Sequence, residues 1–265
     1  MKTILKIFMC TALIAVAISA CTVSSSREVN VEVNGKNIID AKAGFDTSNP
    51  NLFDFDLNTS DYKKMNFGKQ GNTPVSWFVV YDDGDHYVLF SEKVLDVKLY
   101  NSTNKKTEWG DTTLYEYLNT DFINEYFSKD EREQMVFTND KDDSMVTMAS
   151  TDNLIDLYGD IYYAIEGYYG SEDYFQPNEK IIAKPMEAAI NNDIYPFNND
   201  DFAEIVQAES VDRRYDFANG AVPYWLLNQD EEGNPYTVTG TGYISMEEPT
   251  QGYIGIRPII RIKKP

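Results

Sequence analysis

The chain has 265 residues, a formal net charge of −20 and a sequence pI near 4.3, and 14% of its residues are aromatic, including 19 tyrosines. A charge of this size argues against a nucleic-acid-binding protein and against electrostatic docking on an anionic membrane, because both partners carry phosphates. The length is sufficient for one substantial hydrophobic core.

The first 20 residues have the layout of a secretory signal peptide. Lys2 and Lys6 are basic, and the apolar stretch Ile7–Val16 is too short to span a bilayer. Ile18-Ser19-Ala20-Cys21 resembles the processing box of bacterial lipoproteins. The resemblance implies that Cys21 is lipidated and becomes the mature N-terminus, with stable membrane attachment through two or three acyl chains. An ordinary signal peptide that is cut near a cysteine is the alternative.

The predicted location is therefore the bacterial cell envelope, with attachment by lipid. By analogy with known lipoproteins, Thr22 after the cysteine favours the outer membrane if the host is Gram-negative. Cys10 is lost with the signal peptide, so the mature chain has no disulfide and depends on its core for stability. We expect a signal peptide at 1–20, a tether at 21–28, an N-terminal hairpin and loop at 29–61, and a main α+β domain at 62–265.

The acidic residues form four clusters, at 82–85, 140–143, 198–201 and 230–232. None has the spacing of an EF-hand: after Asp140, the positions that require Gly and the closing Glu are Met145 and Thr151. Calcium therefore has no motif to support it, no cofactor is predicted, and metal binding is left open. The acidity is typical of a well-hydrated surface.

Two hairpins are predicted in the first part of the chain. Val29–Ile39 alternates apolar and polar residues around an Asn-Gly pair, which favours a tight turn. Trp77–Tyr81 reads as a buried strand, Asp82–Asp85 as a turn, and Tyr87–Phe90 as the returning strand.

Short helices are predicted next. Asp111 or Thr112 can cap a helix that ends near Asn119. Ser128–Glu131 has the capping-box pattern, and we expect the helix that it begins to carry Met135–Val136 on its apolar face.

The second half of the chain is richer in strands. Pro185 is expected in the first turn of one helix, and Asp200 or Asp201 is expected to cap another. The predicted strands are Met145–Met148, Tyr224–Leu227, Tyr236–Val238, Tyr243–Met246 and Ile254–Ile262. Short helices among hairpin strands indicate an α+β fold, with a mainly antiparallel sheet and long irregular loops.

The aromatic residues supply the candidate ligand contacts. Tyrosine combines an apolar ring with a polar tip, so it suits both binding surfaces and cores. The stretch 161–170 is the densest in tyrosine. The candidate ligand-binding residues are Tyr162, Tyr163, Tyr168, Tyr169 and Trp225, with core packing as the alternative for each.

Four further residues are assigned structural roles. Arg257 lies in an apolar strand, and a buried guanidinium there needs several acceptors, which carboxylates or loop carbonyls could supply. Binding of an anionic ligand is the alternative. Trp77 and Trp109 are expected in the core, and Asn119 at the end of its helix.

Several short segments occur in an order that resembles an uncharacterised bacterial domain family of exported and surface proteins, over roughly residues 62–262. They are Met65–Gly68, Val75–Val80, Leu89–Glu92, Thr107–Trp109, Leu114–Asn119, Tyr224–Leu227 and Gly255–Pro258. The closing Gly-x-Arg-Pro is also similar to the ending of sulfatase-modifying-factor modules, which implies a C-type-lectin-like fold. The chain departs from the family at Tyr115 and Asn228, where the family has arginines.

No motif indicates a particular catalytic reaction. His86 is the sole histidine, neither Gly-x-Ser-x-Gly nor His-Glu-x-x-His occurs, and the mature chain lacks the catalytic cysteines of sulfatase-modifying enzymes. We expect a non-enzymatic lipoprotein whose acidic, Tyr-rich domain binds a glycan or a protein. Two alternatives remain open: an envelope carbohydrate-active enzyme that uses two of the 43 acidic residues, and a structural envelope component.

Overall fold

The computed structural model describes residues 63–138, 144–159, 161, 178–192, 194–198 and 218–264. Several predicted features lie outside the described residues: the signal peptide, lipidation at Cys21, the tether, the hairpin around Asn34-Gly35, and the helix expected after Asp200 or Asp201.

The described part of the chain contains eleven strands and five short helices. The strands are β1 (Lys64–Gln70), β2 (Thr73–Asp82), β3 (His86–Ser91), β4 (Asp96–Val97), β5 (Met135–Val136), β6 (Val146–Met148), β7 (Tyr224–Gln229), β8 (Pro235–Val238), β9 (Ile244–Met246), β10 (Gly255–Ile256) and β11 (Pro258–Lys263). The helices are α1 (Thr113–Asn119), α2 (Asp121–Tyr126), α3 (Lys129–Arg132), α4 (Thr151–Tyr158) and α5 (Glu187–Asn191), and a 3-10 turn at Trp109–Asp111 precedes α1.

The strands form two sheets. The six-stranded sheet has the order β1-β2-β3-β11-β5, and β6 also pairs with β11; every pair in it is antiparallel. The five-stranded sheet has the order β4-β10-β7-β8-β9, in which β10 and β7 are parallel and the other pairs antiparallel. The prediction of an α+β fold with mainly antiparallel sheets is therefore confirmed.

Both faces of the central strands are buried, which explains their nearly continuous apolar sequences. Along β3, Leu89 packs into one apolar cluster, while Val88 and Phe90 pack into a second cluster. The same alternation occurs on β7, where Trp225 joins the cluster of Leu89 and Tyr224 joins the other. The two clusters together form the core around the sheets.

Local capping signals correctly predicted two helix starts. The Thr112 hydroxyl accepts a hydrogen bond from the backbone N–H of Tyr115 at the start of α1. The Ser128–Glu131 capping box is present at α3, and the Glu131 side chain also accepts the N–H of Gly68 on β1 at 2.9 Å. This second contact ties a short helix to the edge of the six-stranded sheet.

Three predictions were wrong in detail. Met135–Val136 is not on a helix; it forms β5, which pairs with β11. Pro185 lies before helix α5, which begins at Glu187, and makes a parallel bridge with Val94. The strand expected over Ile254–Ile262 is interrupted at Arg257, where the chain passes from β10 in one sheet to β11 in the other.

Gly68 occupies a position that only glycine fits well, and we predict that Gly68→Ala destabilises the fold. Its φ is +72°, and an added Cβ would lie 2.6 Å from the Phe127 ring and 2.8 Å from the Tyr126 carbonyl oxygen. Overpacking and left-handed strain together should lower the free energy of unfolding by about 3 kcal/mol, measured by urea denaturation.

Gly71→Ala is the matched control, because Gly71 also has a positive φ, of +59°, but has nothing within 4 Å of the added Cβ. Gly71→Ala should lower the free energy of unfolding only by the cost of left-handed strain, about 1 kcal/mol. Equal losses in the two variants would contradict the packing argument at Gly68.

Candidate functional site

Three loops are joined by hydrogen bonds beside the five-stranded sheet: residues 98–107, 230–234 and 247–253. We call this surface the three-loop face. The Asn101 N–H donates to the Pro249 carbonyl at 2.9 Å, and Lys106 Nζ donates to the Glu231 carbonyl at 3.0 Å. Loops that a rigid scaffold fixes in this way are where binding residues are commonly found.

Buried side chains of β7 and its surroundings hold the 98–107 loop in place. Trp225 Nε1 donates to the Lys98 carbonyl at 2.8 Å, and Gln229 Nε2 donates to the Thr107 carbonyl at 2.9 Å. The Tyr100 hydroxyl donates to the Leu227 carbonyl at 2.9 Å. Burial raises the pKa of Tyr100, so the hydroxyl keeps the proton that it donates.

The three-loop face presents apolar and aromatic surface to solvent. Tyr253 is 44% exposed and Leu99 is 39% exposed. The two segments are adjacent, since a Cβ placed on Gly252 would lie 3.8 Å from Leu99 Cδ2. The Tyr253 hydroxyl donates to Glu247 Oε2 at 3.3 Å.

The Tyr253–Glu247 contact changes both acid–base groups. Partial burial and the Glu247 carboxylate raise the pKa of Tyr253. Partial burial, together with the charge of Glu248, raises the pKa of Glu247, although the Tyr253 hydrogen bond lowers it. Polar groups continue along the face, where Asn104 Nδ2 donates to Glu248 at 3.1 Å and Thr250 Oγ1 donates to Asn104 Oδ1 at 2.6 Å.

A buried carboxylate lies at the root of the 98–107 loop. We call Asp96, Lys98, Tyr117 and Asn192 the Asp96 cluster. Asp96 is 5% exposed. Its Oδ2 accepts from the Tyr117 hydroxyl at 2.9 Å and pairs with Lys98 Nζ at 2.9 Å, while its Oδ1 accepts from Asn192 Nδ2 at 2.6 Å and from the Val97 N–H at 2.8 Å.

The Asp96 cluster draws on three parts of the chain. Asp96 and Lys98 come from β4 and the residue after it, Tyr117 from α1, and Asn192 from the end of α5. Burial and the Asp96 charge raise the pKa of Tyr117, so its hydroxyl remains a donor. Lys98 Nζ also lies 4.5 Å from the centre of the Tyr117 ring. The sequence contains one signal for this cluster, the charged Asp96 inside the otherwise apolar run Val94–Val97. No motif described above includes this residue.

The candidate ligand contacts predicted from sequence are not brought together in the described residues. Tyr162, Tyr163, Tyr168 and Tyr169 lie outside the described residues. Trp225 is fully buried, and its indole N–H supports the loop backbone at Lys98. Trp225 therefore lies beneath the three-loop face rather than on its surface.

Trp77 and Asn119 are held by specific hydrogen bonds. Trp77 is fully buried, and its Nε1 donates to the Phe67 carbonyl at 2.7 Å. Asn119, at the end of α1, accepts from the backbone N–H groups of Met145 and Val146 and donates to the Val146 carbonyl. Its side chain thus fastens α1 to the start of β6.

Trp109 differs from the other two tryptophans, because it is only half-buried. Its ring lies 5.8 Å from the Tyr100 ring and 5.7 Å from the Tyr115 ring, measured between centroids. Its indole N–H is shielded from solvent and has no hydrogen-bond partner among the described residues. Such donors usually find a partner, and none of the described groups supplies one here.

Arg257 is 1% exposed and donates hydrogen bonds to uncharged groups. Its Nε donates to the Ser91 carbonyl at 2.9 Å, and its Nη1 donates to the Ile181 carbonyl and the Tyr224 hydroxyl, each at 3.1 Å. The Phe90 ring centre lies 4.0 Å from the guanidinium carbon. This contact set joins loop carbonyls to the last strand, as a structural role for Arg257 requires.

The acidic clusters in the described residues are satisfied by local contacts. Asp230 Oδ1 accepts backbone N–H bonds from Glu232, Gly233 and Asn234, which closes the turn before β8. Asp83 accepts from Arg261 Nη2 at 2.7 Å. The described residues contain no group of three or more His, Cys, Asp or Glu side chains placed to hold a metal ion.

A comparison with protein-family models matches residues 84–264 to a domain of unknown function, DUF6273. The chain belongs to this family. The matched range includes the Asp96 cluster, Arg257 and all three loops of the three-loop face. No curated protein and no solved structure matches the chain. Within the described residues, none of the helices has the length and hydropathy required to cross a membrane.

Asn228, on β7, has a structural role in this chain. Asn228 Oδ1 accepts the Thr151 N–H at 2.7 Å, at the first turn of α4. The Asn228 oxygen thereby satisfies one of the free N–H groups at the start of the helix. An arginine could not accept this hydrogen bond, because a guanidinium has no acceptor atom. In this chain, the position therefore serves the packing of α4 on β7.

We predict that Arg257→Lys destabilises the protein. A lysine carries one donor head in place of the planar fork, so it cannot satisfy the Ser91 and Ile181 carbonyls together. The free energy of unfolding should fall by about 3 kcal/mol, measured by urea denaturation.

The control is Lys64→Ala, which removes a solvent-exposed ion pair with Glu92 at 2.7 Å and should change stability by about 1 kcal/mol or less. An Arg257→Lys protein as stable as the parent would remove the structural role that we assign to the guanidinium.

Proposed function

We propose that the protein is a cell-envelope lipoprotein that is attached through Cys21 and binds a glycan at the three-loop face. The observation that carries the proposal is the exposed Tyr253 and Leu99 beside hydrogen-bonding groups whose positions are fixed by loop-to-loop contacts. The signal-peptide pattern and the lipoprotein box support the location, and the family match is compatible with it because the family carries no assigned activity.

A neutral glycan fits the chemistry of this face. The apolar C–H face of a sugar ring can pack on the Tyr253 ring, while the sugar hydroxyls exchange hydrogen bonds with Glu247 and Asn104. The net charge of −20 disfavours an acidic polysaccharide. We extend the C-type-lectin-like resemblance to this proposal, because irregular loops on a small sheet would then form the ligand site.

One observation favours the enzymatic alternative. Glu247 has a raised pKa and a tyrosine hydroxyl on its carboxylate, which are properties of a general acid in glycoside hydrolysis. Glu248, the nearest second carboxylate along the chain, is held by Asn104. Hydrolysis of a bound glycan that is lost in Glu247→Gln, with binding retained, would replace the binding role by an enzymatic one.

The location is tested at Cys21. In the native host, the full-length protein should fractionate with membranes and incorporate labelled fatty acid. Cys21→Ser should abolish the label and release the protein from the membrane fraction, because the processing box then has no thiol to carry the lipid. An unlabelled, freely released parent protein would overturn the proposed attachment.

Ligand binding is tested on a glycan array followed by titration of the positive glycans. We predict that Tyr253→Ala weakens binding at least about tenfold, as expected for a central aromatic contact. Tyr195→Ala is the matched control, since Tyr195 is 77% exposed and outside the three loops, and it should leave affinity unchanged.

Two array results would count against the proposal. A blank array together with capture of a partner protein would assign the face to protein recognition. Equal effects of Tyr253→Ala and Tyr195→Ala would place the glycan site elsewhere on the chain.

A further inference from the structure

The Asp96 cluster brings a primary amine and a side-chain amide to the same buried carboxylate. Lys98 Nζ lies 2.9 Å from Asp96 Oδ2, and Asn192 Nδ2 lies 2.6 Å from Asp96 Oδ1. An amine and an amide can condense when a carboxylic acid between them moves the protons. Both nitrogen groups contact Asp96 directly here, one on each carboxylate oxygen.

We propose that Asp96 catalyses formation of an isopeptide bond between Lys98 and Asn192. The site would modify the chain itself, so the proposal stands independently of any ligand at the three-loop face. The product would link the start of the 98–107 loop to the end of α5 by a covalent amide.

The reaction balances without an external oxidant or co-reactant. Lys98 transfers a proton from Nζ to Asp96 along their hydrogen bond, and the free amine then attacks Asn192 Cγ. The resulting Asp96 acid returns a proton to Nδ2 as the Cγ–Nδ2 bond breaks. The Nζ–Cγ bond remains, and the extra proton on Nζ passes through Asp96 to the released ammonia, which leaves as ammonium, so that Asp96 ends as the carboxylate that it was at the start.

The surroundings of Asp96 supply what this step needs. The Asp96 side chain is only 7% exposed, so the proton transfer to the carboxylate takes place away from bulk water. The Tyr117 ring, 4.5 Å from Nζ, keeps the amine beside the carboxylate. Lys98 and Asn192 both reach solvent on their outer sides, which gives ammonia an exit.

The arrangement at Asp96 differs from the other lysine–carboxylate pairs in the described residues. Lys64 pairs with Glu92, and Lys264 with Asp82, and both pairs lie near the surface without a side-chain amide on the carboxylate. Such pairs are ordinary ion pairs. The amide of Asn192 is what converts the Asp96 pair into a candidate reaction site.

The test is peptide mapping of the purified full-length protein by mass spectrometry after unfolding and trypsin digestion. Trypsin does not cut after a lysine whose Nζ is acylated. If the bond forms, the peptide Val94–Lys105, which contains Lys98, should therefore be joined to the peptide Ile181–Arg213, which contains Asn192. The mass of the joined peptide should be about 17 Da below the sum of the two, because one ammonia is lost.

Three variants make the assignment specific. Lys98→Arg and Asn192→Ala should each abolish the joined peptide, while Lys64→Arg, the control in a simple ion pair, should leave it unchanged. The parent protein alone is decisive, because its result does not depend on how well a variant folds. A free Val94–Lys98 peptide with unmodified Ile181–Arg213 in the parent protein would overturn the proposal, and so would conversion of Asn192 to Asp without a joined peptide.

Discussion

The structure depends on the burial of one guanidinium at the point where the last strand changes sheets. Arg257 separates β10, in the five-stranded sheet, from β11, at the centre of the six-stranded sheet. Its donors reach Ser91 at the end of β3, Ile181 in the loop before α5, and Tyr224 at the start of β7. Burial raises the pKa of Tyr224 to about 12 even though the arginine lowers it, so the hydroxyl stays protonated and passes a hydrogen bond on to the Ile181 carbonyl at 2.6 Å. One side chain thereby fixes the relative positions of both sheets, and carbonyls rather than carboxylates satisfy it.

The fixed junction between the sheets supports the loops of the three-loop face, where we propose that a glycan binds. β7 leaves the junction at Tyr224, and the next residue, Trp225, supports the 98–107 loop from below. β10 enters the junction from the 247–253 loop, so that loop is positioned by the same residues. The surface groups at Leu99 and Tyr253 therefore rest on fully buried side chains, and a ligand would meet a surface that needs little reorganisation, which favours affinity.

The sequence predicts the parts of this fold that local chemistry decides. The β2–β3 hairpin follows from apolar strands around an Asp-Gly-Asp turn, and the starts of α1 and α3 follow from capping side chains a few residues away. Met135–Val136 was misassigned because its pairing partner, β11, lies more than a hundred residues away and no local pattern distinguishes a two-residue strand from a helix end. The interruption at Arg257 was missed for a related reason: Gly-x-Arg-Pro indicates a buried arginine, but only the arrangement of two sheets shows that the chain turns there.

The Asp96 cluster is harder to predict from the sequence than these elements of the fold. Asp96 appears in the sequence only as a charge within an apolar run, and its partners come from segments about twenty and about a hundred residues away along the chain. The fold treats its two buried charges differently. Arg257 is held among carbonyls and aromatic rings, whereas Asp96 has a lysine on one oxygen and a side-chain amide on the other, which is the arrangement that the proposed reaction uses. The proposed bond would give the chain a covalent cross-link that uses no cysteine, between segments about a hundred residues apart.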